Sequence, residues 1–534
     1  MRKNILISLL LGTIFFVVCF WSLKDYGISW DSATHFKRGQ AYIHYYLTGK
    51  TDYKDIVGRK SFYQNDIQDG KFWLKDTHGH PPVNDVLSSF FNFILYQKLG
   101  IVGDIESYNL FIILVSSLLV SAVVYYCIET FGVVTAIVSG VLLSTYPLFW
   151  SESHFNIKDP IEASFFTITI LSLTRILKTK NPKWIIMFFI FWGLSIGVKF
   201  NALFIPVIIL PYLFFNRKDF VKILKKHYLY ILIGILITIA IFILSWPALW
   251  QGNLILNILD VFKFYKEIGT NYNYQPTNFY FLGANTYSLQ WILFTTPIVT
   301  LVLFVLGIFN LIRNWKKNSY LSLLLLLWFF IPIIRVSLPN SSIYGGARQI
   351  MEYIPVMAII AAIGVNQIVN KIKNNKPLVK LIILSIVLVS SLLPIINYHP
   401  NENVYFNFLI GGLKGAKQVS FPSWGNSFGS AYKQGIDWIN TNATKGSKLT
   451  LLQGELINAP KIWLRVDIDY KKENYSGSDK KGEYIMELTF NDTVKLPKES
   501  WDYVEFSLIP VYEEKVDGVA ILKIWKNDNE HNLK

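Results

Sequence analysis

The stretch from Trp150 to Phe166, WSESHFNIKDPIEASFF, sets Glu152, His154, Lys158 and Asp159 in a short connection between two apolar runs. Ionisable groups of both signs at a hydrocarbon border cost desolvation unless they pair with each other or meet a polar ligand. A carboxylate in such a place suits proton transfer, an ammonium suits an anion, and an imidazole suits either. Pro160 fits the first turn of a following helix, which makes Asp159 a natural N-cap whose charge matches the helix dipole. Capping leaves Glu152, His154 and Lys158 without a role.

Other stretches carry similar groups. In GISWDSATHFKRGQAYIHYYLTGK, Asp31 comes shortly after the first apolar run. It reads either as the N-cap of an amphipathic helix lying along the bilayer or as a base that takes a proton from an acceptor hydroxyl at the membrane surface. In KDTHGHPPVNDVL, His78 and His80 flank Gly79 as metal ligands or hydrogen-bond donors, without a third ligand at a defined spacing. GLSIGVKFNALFIP places Lys199, and SLPNSSIYGGARQIMEYIP places Tyr344 and Arg348, beside apolar runs; Arg335 ends another. Such cations either snorkel toward the interface or hold a phosphate whose lipid tail lies between helices.

The elements that must position these groups are membrane helices. Mean hydropathy is +0.35 and 52% of residues are hydrophobic, and the apolar runs predict about eleven spans near the ~20 residues a helix needs to cross hydrocarbon. They are 5–21, 108–126, 133–150, 161–177, 184–198, 202–215, 228–246, 291–312, 321–338, 351–368 and 381–396. Many tryptophans stand at their ends, as interfacial rings do. The basic start of the chain and the apolar run after it predict an uncleaved first helix.

With the N-terminus cytoplasmic, the basic stretches RILKTKNPK, NRKDFVKILKK, RNWKK and NKIKNNK all fall on the cytoplasmic side, as the positive-inside rule asks. That requires 86–100 not to span and 184–215 to be two short helices turning at Lys199. The outer face then holds the loop 22–106, SESHFNIKDP, the Lys199 turn, RVSLPNSSIYGGARQ and everything after about residue 397. The net charge of +15 sits in short connections and so orients the chain in a bilayer; it does not call for a nucleic-acid partner. Two cysteines, Cys19 and Cys127, exclude a disulfide framework.

The predicted fold class is therefore a polytopic α-helical membrane protein, with residues 1–397 forming the membrane part. Residues 398–534 read as an extracytoplasmic soluble mixed α/β domain, with short strands in KIWLRVDIDY and GEYIMELTF and an Asp-Gly hairpin in KVDGVAILKIW.

Taken in order, Asp31, the HPP of His80 to Pro82, NIKDP, GLSIGVKFNAL and YGGARQIMEYIPVMAIIAAIG resemble the integral-membrane glycosyltransferases of the GT-C fold. The likeness is to the protein O-mannosyltransferase-like and lipid A aminoarabinose transferase-like families, glycosyltransferase family 39. YFNFLIGGLKGAKQVSFPSWGNSFGSAYKQGIDWIN also resembles a stretch of bacterial and archaeal members.

The resemblance implies an undecaprenyl- or dolichyl-phosphate-linked sugar donor, a protein, lipid or glycan acceptor, an outer-face site in the cell membrane, and inversion at the anomeric carbon. It implies Asp31 as base, Asp159 as a second acid that orients the site or helps bind a divalent metal, and Lys199 and Arg348 as phosphate ligands; Arg335 joins them as a third candidate on its position near the end of an apolar run. His80, Glu152, His154, Lys158 and Tyr344 fall to the acceptor or substrate, and His78 and His80 join Asp159 as metal candidates. One departure stands out: Ser32 follows Asp31 where the mannosyltransferases have Asp-Glu, which leaves the acceptor open. A transporter or flippase of an anionic lipid or solute, and a scaffold displaying the C-terminal domain, are the rival readings. Charges gathered at one face, with no internal repeat, favour the enzyme.

Overall fold

The computed structural model describes residues 2–65, 67–271, 279–372, 375–452, 454–490 and 498–533. Among them, seven helices are long and apolar enough to cross a membrane, and nine spans result if two bent pairs each count as one. The helices leading to the site are α1 (Arg2–Ser22), α2 (Ser32–Thr48), α3 (Ile67–Trp73), α4 (Val83–Asn92), α5 (Asp104–Phe131), α6 (Val133–Ser144), α7 (Pro147–Phe155) and α8 (Asp159–Thr179). Every predicted span falls on a helix or a bent pair. Two of them, over Pro182–Ile196 and Phe200–Phe215, are shorter apolar helices.

Burial sorts the spans. The most apolar part of α8 is 89% buried, whereas that of Arg217–Leu244 is 11% buried, so α8 is the hub and Arg217–Leu244 an outer helix. Pro147 at the first turn of α7 fits the 59° bend between α6 and α7. The charged connection NIKDP follows α7 and leads directly into the hub. The Lys199 turn forms as expected, between Pro182–Ile196 and the 3-10 turn Phe200–Phe204. Farther along, Gly307 and Gly364 let Ile298–Arg313 and Tyr353–Lys371 touch backbone to backbone: a Cβ on Gly307 would lie 1.9 Å from the Ile360 carbonyl oxygen.

The segment 86–100 does not span. It continues α4 as a π-helix, Phe93–Lys98, and α4 buries Asn84, Asp85, Ser88, Ser89 and Asn92 against protein. α2 is likewise packed into the molecule, burying His35, Phe36, Arg38, Gly39, Gln40 and five further residues after Ser32.

After a small hairpin, β1 (Tyr280–Phe281) with β2 (Ala284–Asn285), the remaining strands form one sheet near the C-terminus. These are β3 (Lys448–Leu451), β4 (Asp469–Tyr470), β5 (Tyr484–Leu488), β6 (Pro510–Val516) and β7 (Val519–Lys526), in the order β4-β3-β5-β7-β6. The first three are parallel and the last two add antiparallel. Asp517 and Gly518 join β6 to β7 with φ of 50° and 72°, the left-handed pair a two-residue hairpin needs. KIWLRVDIDY departs from expectation: its first half is a 3-10 turn, Lys461–Trp463, and only Asp469 and Tyr470 pair.

Candidate active site

The NIKDP connection is organised by Asn156. Its side-chain oxygen accepts from the backbone N–H of Lys158 at 3.0 Å and of Asp159 at 3.2 Å, and its amide nitrogen donates to Asp159 Oδ2 at 2.9 Å and to Glu152 Oε2. Asn156 therefore satisfies the start of α8, and Asp159, the first residue of that helix, does not cap it. The expectation that Asp159 is the N-cap is corrected here, and its carboxylate is released for other contacts.

Those contacts form two ion pairs side by side. Lys158 Nζ donates to Asp31 Oδ2 at 2.8 Å, and Lys199 Nζ donates to Asp159 Oδ1 at 2.8 Å. Lys199 also donates to the Gln349 carbonyl at 2.9 Å, next to Arg348 in sequence. Residues 31, 158–159, 199 and 348–349, remote along the chain, thus meet at one place. The HPP turn is tied in by backbone: Val83 N–H donates to the Gly197 carbonyl at 2.8 Å.

Asp31 makes no side-chain capping bond to α2, which removes the capping explanation for its presence. Its side chain keeps 41% of its surface accessible, yet desolvation is the largest influence on it. Burial pushes its pKa up, but the charges of Lys158 and Arg348 outweigh it and hold the carboxyl well below the usual range. Burial lowers the Lys158 pKa, and Asp31 and Asp159 more than reverse that, so the ammonium is secured. His80 bonds the Tyr265 hydroxyl through Nδ1 and is pushed toward the neutral form, first by burial and then by Lys158 and Lys199. Tyr344 lies within electrostatic reach of Lys158 and Tyr265.

Behind this cluster lies a second polar layer. Arg335 bonds Asn201 Oδ1 and stands 3.6 Å from Glu352 Oε1, while Asn201 donates to that carboxylate at 3.2 Å. Arg335 is therefore already paired, one layer removed from Lys158. Glu162, buried on α8, leaves Oε1 without a partner among the described residues.

Arg348 holds a different position: its guanidinium lies 3.7 Å over the Phe428 ring, and its Nε is buried and unpartnered among the described residues. A small cavity of about 20 Å³ lies beside it, lined by Glu152, Trp291, Arg348, Glu402 and Phe428 among others. The C-terminal part thus supplies one wall. It also grips the chain just before Asp31, where Trp30 N–H donates to the Phe428 carbonyl at 3.0 Å and Gly27 N–H to Ser430 Oγ at 3.1 Å. Nearby, the Tyr26 hydroxyl donates to Glu402 at 2.8 Å, and His399 bridges Glu402 at 3.1 Å and Asp25 at 3.0 Å.

Three expectations change in this light. His154 packs away from the cluster: it stacks on Tyr26 with centroids 4.0 Å apart and bonds Ser22 Oγ at 3.0 Å and the Trp150 carbonyl at 2.8 Å. His78 points outward to Asp260 at 3.3 Å and stacks on Phe264. Asp159 faces an ammonium, so Asp159, His78 and His80 do not converge as metal ligands. Among the described residues the one three-ligand group is Asp528, Glu530 and His531, near the C-terminus.

Sequence reasoning missed Asn156, Asp85, His35, Glu402 and Phe428. Asn156 had a signal, standing three residues before an Asp-Pro helix start. The others are joined only by the fold.

Helical spans followed by a C-terminal sheet give this chain a GT-C-like fold. Residues 80–246 match the family described as dolichyl-phosphate-mannose-protein mannosyltransferase, a stretch that holds HPP, NIKDP and Lys199. The chain superposes on ArnT from Cupriavidus metallidurans bound to undecaprenyl phosphate with a TM-score of 0.54 and 13% identity, over 97% of this chain and 98% of that one. For the same protein in the apo state the values are 0.51 and 13%, over 98% of each chain. A search among curated proteins finds no match.

Proposed function

We propose that this protein transfers a sugar from a polyprenyl-phosphate-linked donor to a hydroxyl-bearing acceptor, with inversion, at the extracytoplasmic face of the cell membrane. The observation that carries the reading is the paired array Asp31–Lys158 and Asp159–Lys199 at the mouth of the hub helix. It offers one accessible carboxylate beside several cations. The undecaprenyl phosphate held by the ArnT neighbour supports a lipid-phosphate ligand of the same kind here. The basic connections on the opposite face support an outward-facing site.

Lys158, Lys199 and Arg348 hold the donor phosphate. Lys199 spends two of its three N–H bonds on Asp159 and Gln349, which leaves one for a phosphate oxygen. The acceptor oxygen attacks the anomeric carbon from the side opposite the phosphate, and its proton passes to Asp31. The bond from the anomeric carbon to the phosphate oxygen breaks, and its electron pair leaves on that oxygen, where the cations stabilise it. Asp159 keeps Lys199 charged and aimed. Since Asp159 already faces an ammonium, no step is routed through a metal.

The test is transfer from a panel of radiolabelled polyprenyl-phosphate sugars by wild type and Asp31→Asn. A positioned base contributes roughly 10²- to 10⁴-fold, so the variant should lose that much rate while still binding donor. Equal transfer by both proteins removes Asp31 from the chemistry. No donor binding by either removes the glycosyltransferase reading.

A further inference from the structure

A second carboxylate-based group stands beside Asp31. On α4, Asp85 is fully buried and accepts from His35 Nδ1 at 2.7 Å and from Arg38 Nε at 2.6 Å. Both partners are on α2, His35 four residues after Asp31, so Asp31 and His35 share a helix face. His35 N–H also donates to the Asp31 carbonyl at 3.2 Å. The His35 ring lies 6.4 Å from that of His80, within the cluster that holds Lys158 and Lys199. Arg38 runs beneath the Gly79–His80 turn, where a Cβ on Gly79 would lie 3.1 Å from its Nη1.

Tying Nδ1 to a carboxylate fixes the tautomer: the proton is on Nδ1, and Nε2 presents a lone pair. No described residue donates to Nε2. An anchor between α2 and α4 needs only the Arg38–Asp85 pair and the close approach of Gly39, whose Cβ would lie 2.2 Å from the Asp85 carbonyl oxygen. The imidazole is surplus to that purpose.

We infer that His35, oriented by Asp85, is the proton acceptor that clears Asp31 during transfer. The inference rests on the glycosyltransferase reading and deepens it. Asp31, paired to Lys158, holds a proton poorly. The acceptor O–H proton reaches the Asp31 oxygen not bonded to Lys158 as the new glycosidic bond forms and the phosphate leaves. It then moves through one bridging water to His35 Nε2, giving an imidazolium that Asp85 stabilises and that discharges to bulk water. The groups facing His35 are Asp31 and Arg38 on α2, Asp85 on α4, His80 on the preceding turn and Lys158 before α8.

The test follows the pH profile of kcat/KM for His35→Gln, His35→Ala and Asp85→Asn, each checked for wild-type donor binding. His35→Gln should be at least tenfold slower at neutral pH, with a pH profile that differs in shape from that of wild type, and Asp85→Asn should change the profile in the same sense. Free imidazole should restore rate to His35→Ala. An anchoring role would lower the rate equally at every pH and leave imidazole without effect. Variants with wild-type rate and profile overturn the relay while the transferase reading stands; a wild type that transfers no sugar overturns both.

Discussion

Lys199→Met isolates the link between the paired array and donor binding. The Lys199–Asp159 pair is closed to solvent, with 9% and 2% of the two side chains exposed. Removing one partner of such a pair leaves a buried charge and costs about 3–5 kcal/mol of stability. A charge-assisted hydrogen bond to phosphate contributes about 1.5–3 kcal/mol, so donor affinity should fall about 10- to 150-fold. The two effects separate in a double variant. Asp159→Asn with Lys199→Met removes the stranded carboxylate, and Asn at 159 can still bond Asn156, so stability should recover by half or more. Donor affinity should stay at the level of the single variant. The assays are thermal unfolding in detergent and equilibrium binding of a labelled polyprenyl-phosphate sugar. Donor affinity within twofold of wild type in Lys199→Met would refute the placement of phosphate at this ammonium.

Two further outcomes follow from the structure. The Glu402 hydrogen bond, followed by the charges of Glu402 and Asp25, raises the His399 pKa against the opposing effect of burial. The clasp's contribution is then fully present below the unfolded value of about 6.5 and is lost as pH rises through the higher folded value; the Tm of wild type should fall more steeply above about pH 6.5 than that of His399→Asn, and parallel profiles would count against the clasp. Gly39→Ala would place a Cβ 2.2 Å from both the Asp85 carbonyl oxygen and Ser89 Oγ, and such overpacking costs about 1–3 kcal/mol; an unchanged Tm would mean that α2 and α4 separate freely.

What the chain discloses by itself follows from range. Span length, the Lys199 turn and the Asp517-Gly518 hairpin are local properties, each decided by neighbours within a few residues, and each is present in the structure. Asp31, Lys158, Asp159, Lys199 and Arg348 could be nominated because charges beside apolar runs need partners. Who pairs with whom could not be read: Asp31 meets Lys158 across 127 positions and Tyr26 meets Glu402 across 376. The polar signal was also ambiguous where a ring serves packing, as with His154, whose partners Tyr26 and Ser22 close the end of α1. Asp159 was misread as a cap because an Asp-Pro helix start looks the same whether its own side chain or that of Asn156 satisfies the backbone.

Residues 27–30 are held by residues 428–430, and Arg348 lies against Phe428. A ribosome makes residues 27–30 about four hundred residues before residues 428–430. While the chain is still being synthesised, its early helices can pack and Tyr26 and Asp31 can already meet His154 and Lys158, yet residues 27–30 lack their backbone partners until the late segment has been translated. On the proposed transferase reading, a chain cut short before residue 428 would occupy the membrane without the clasp that fixes the approach to its base.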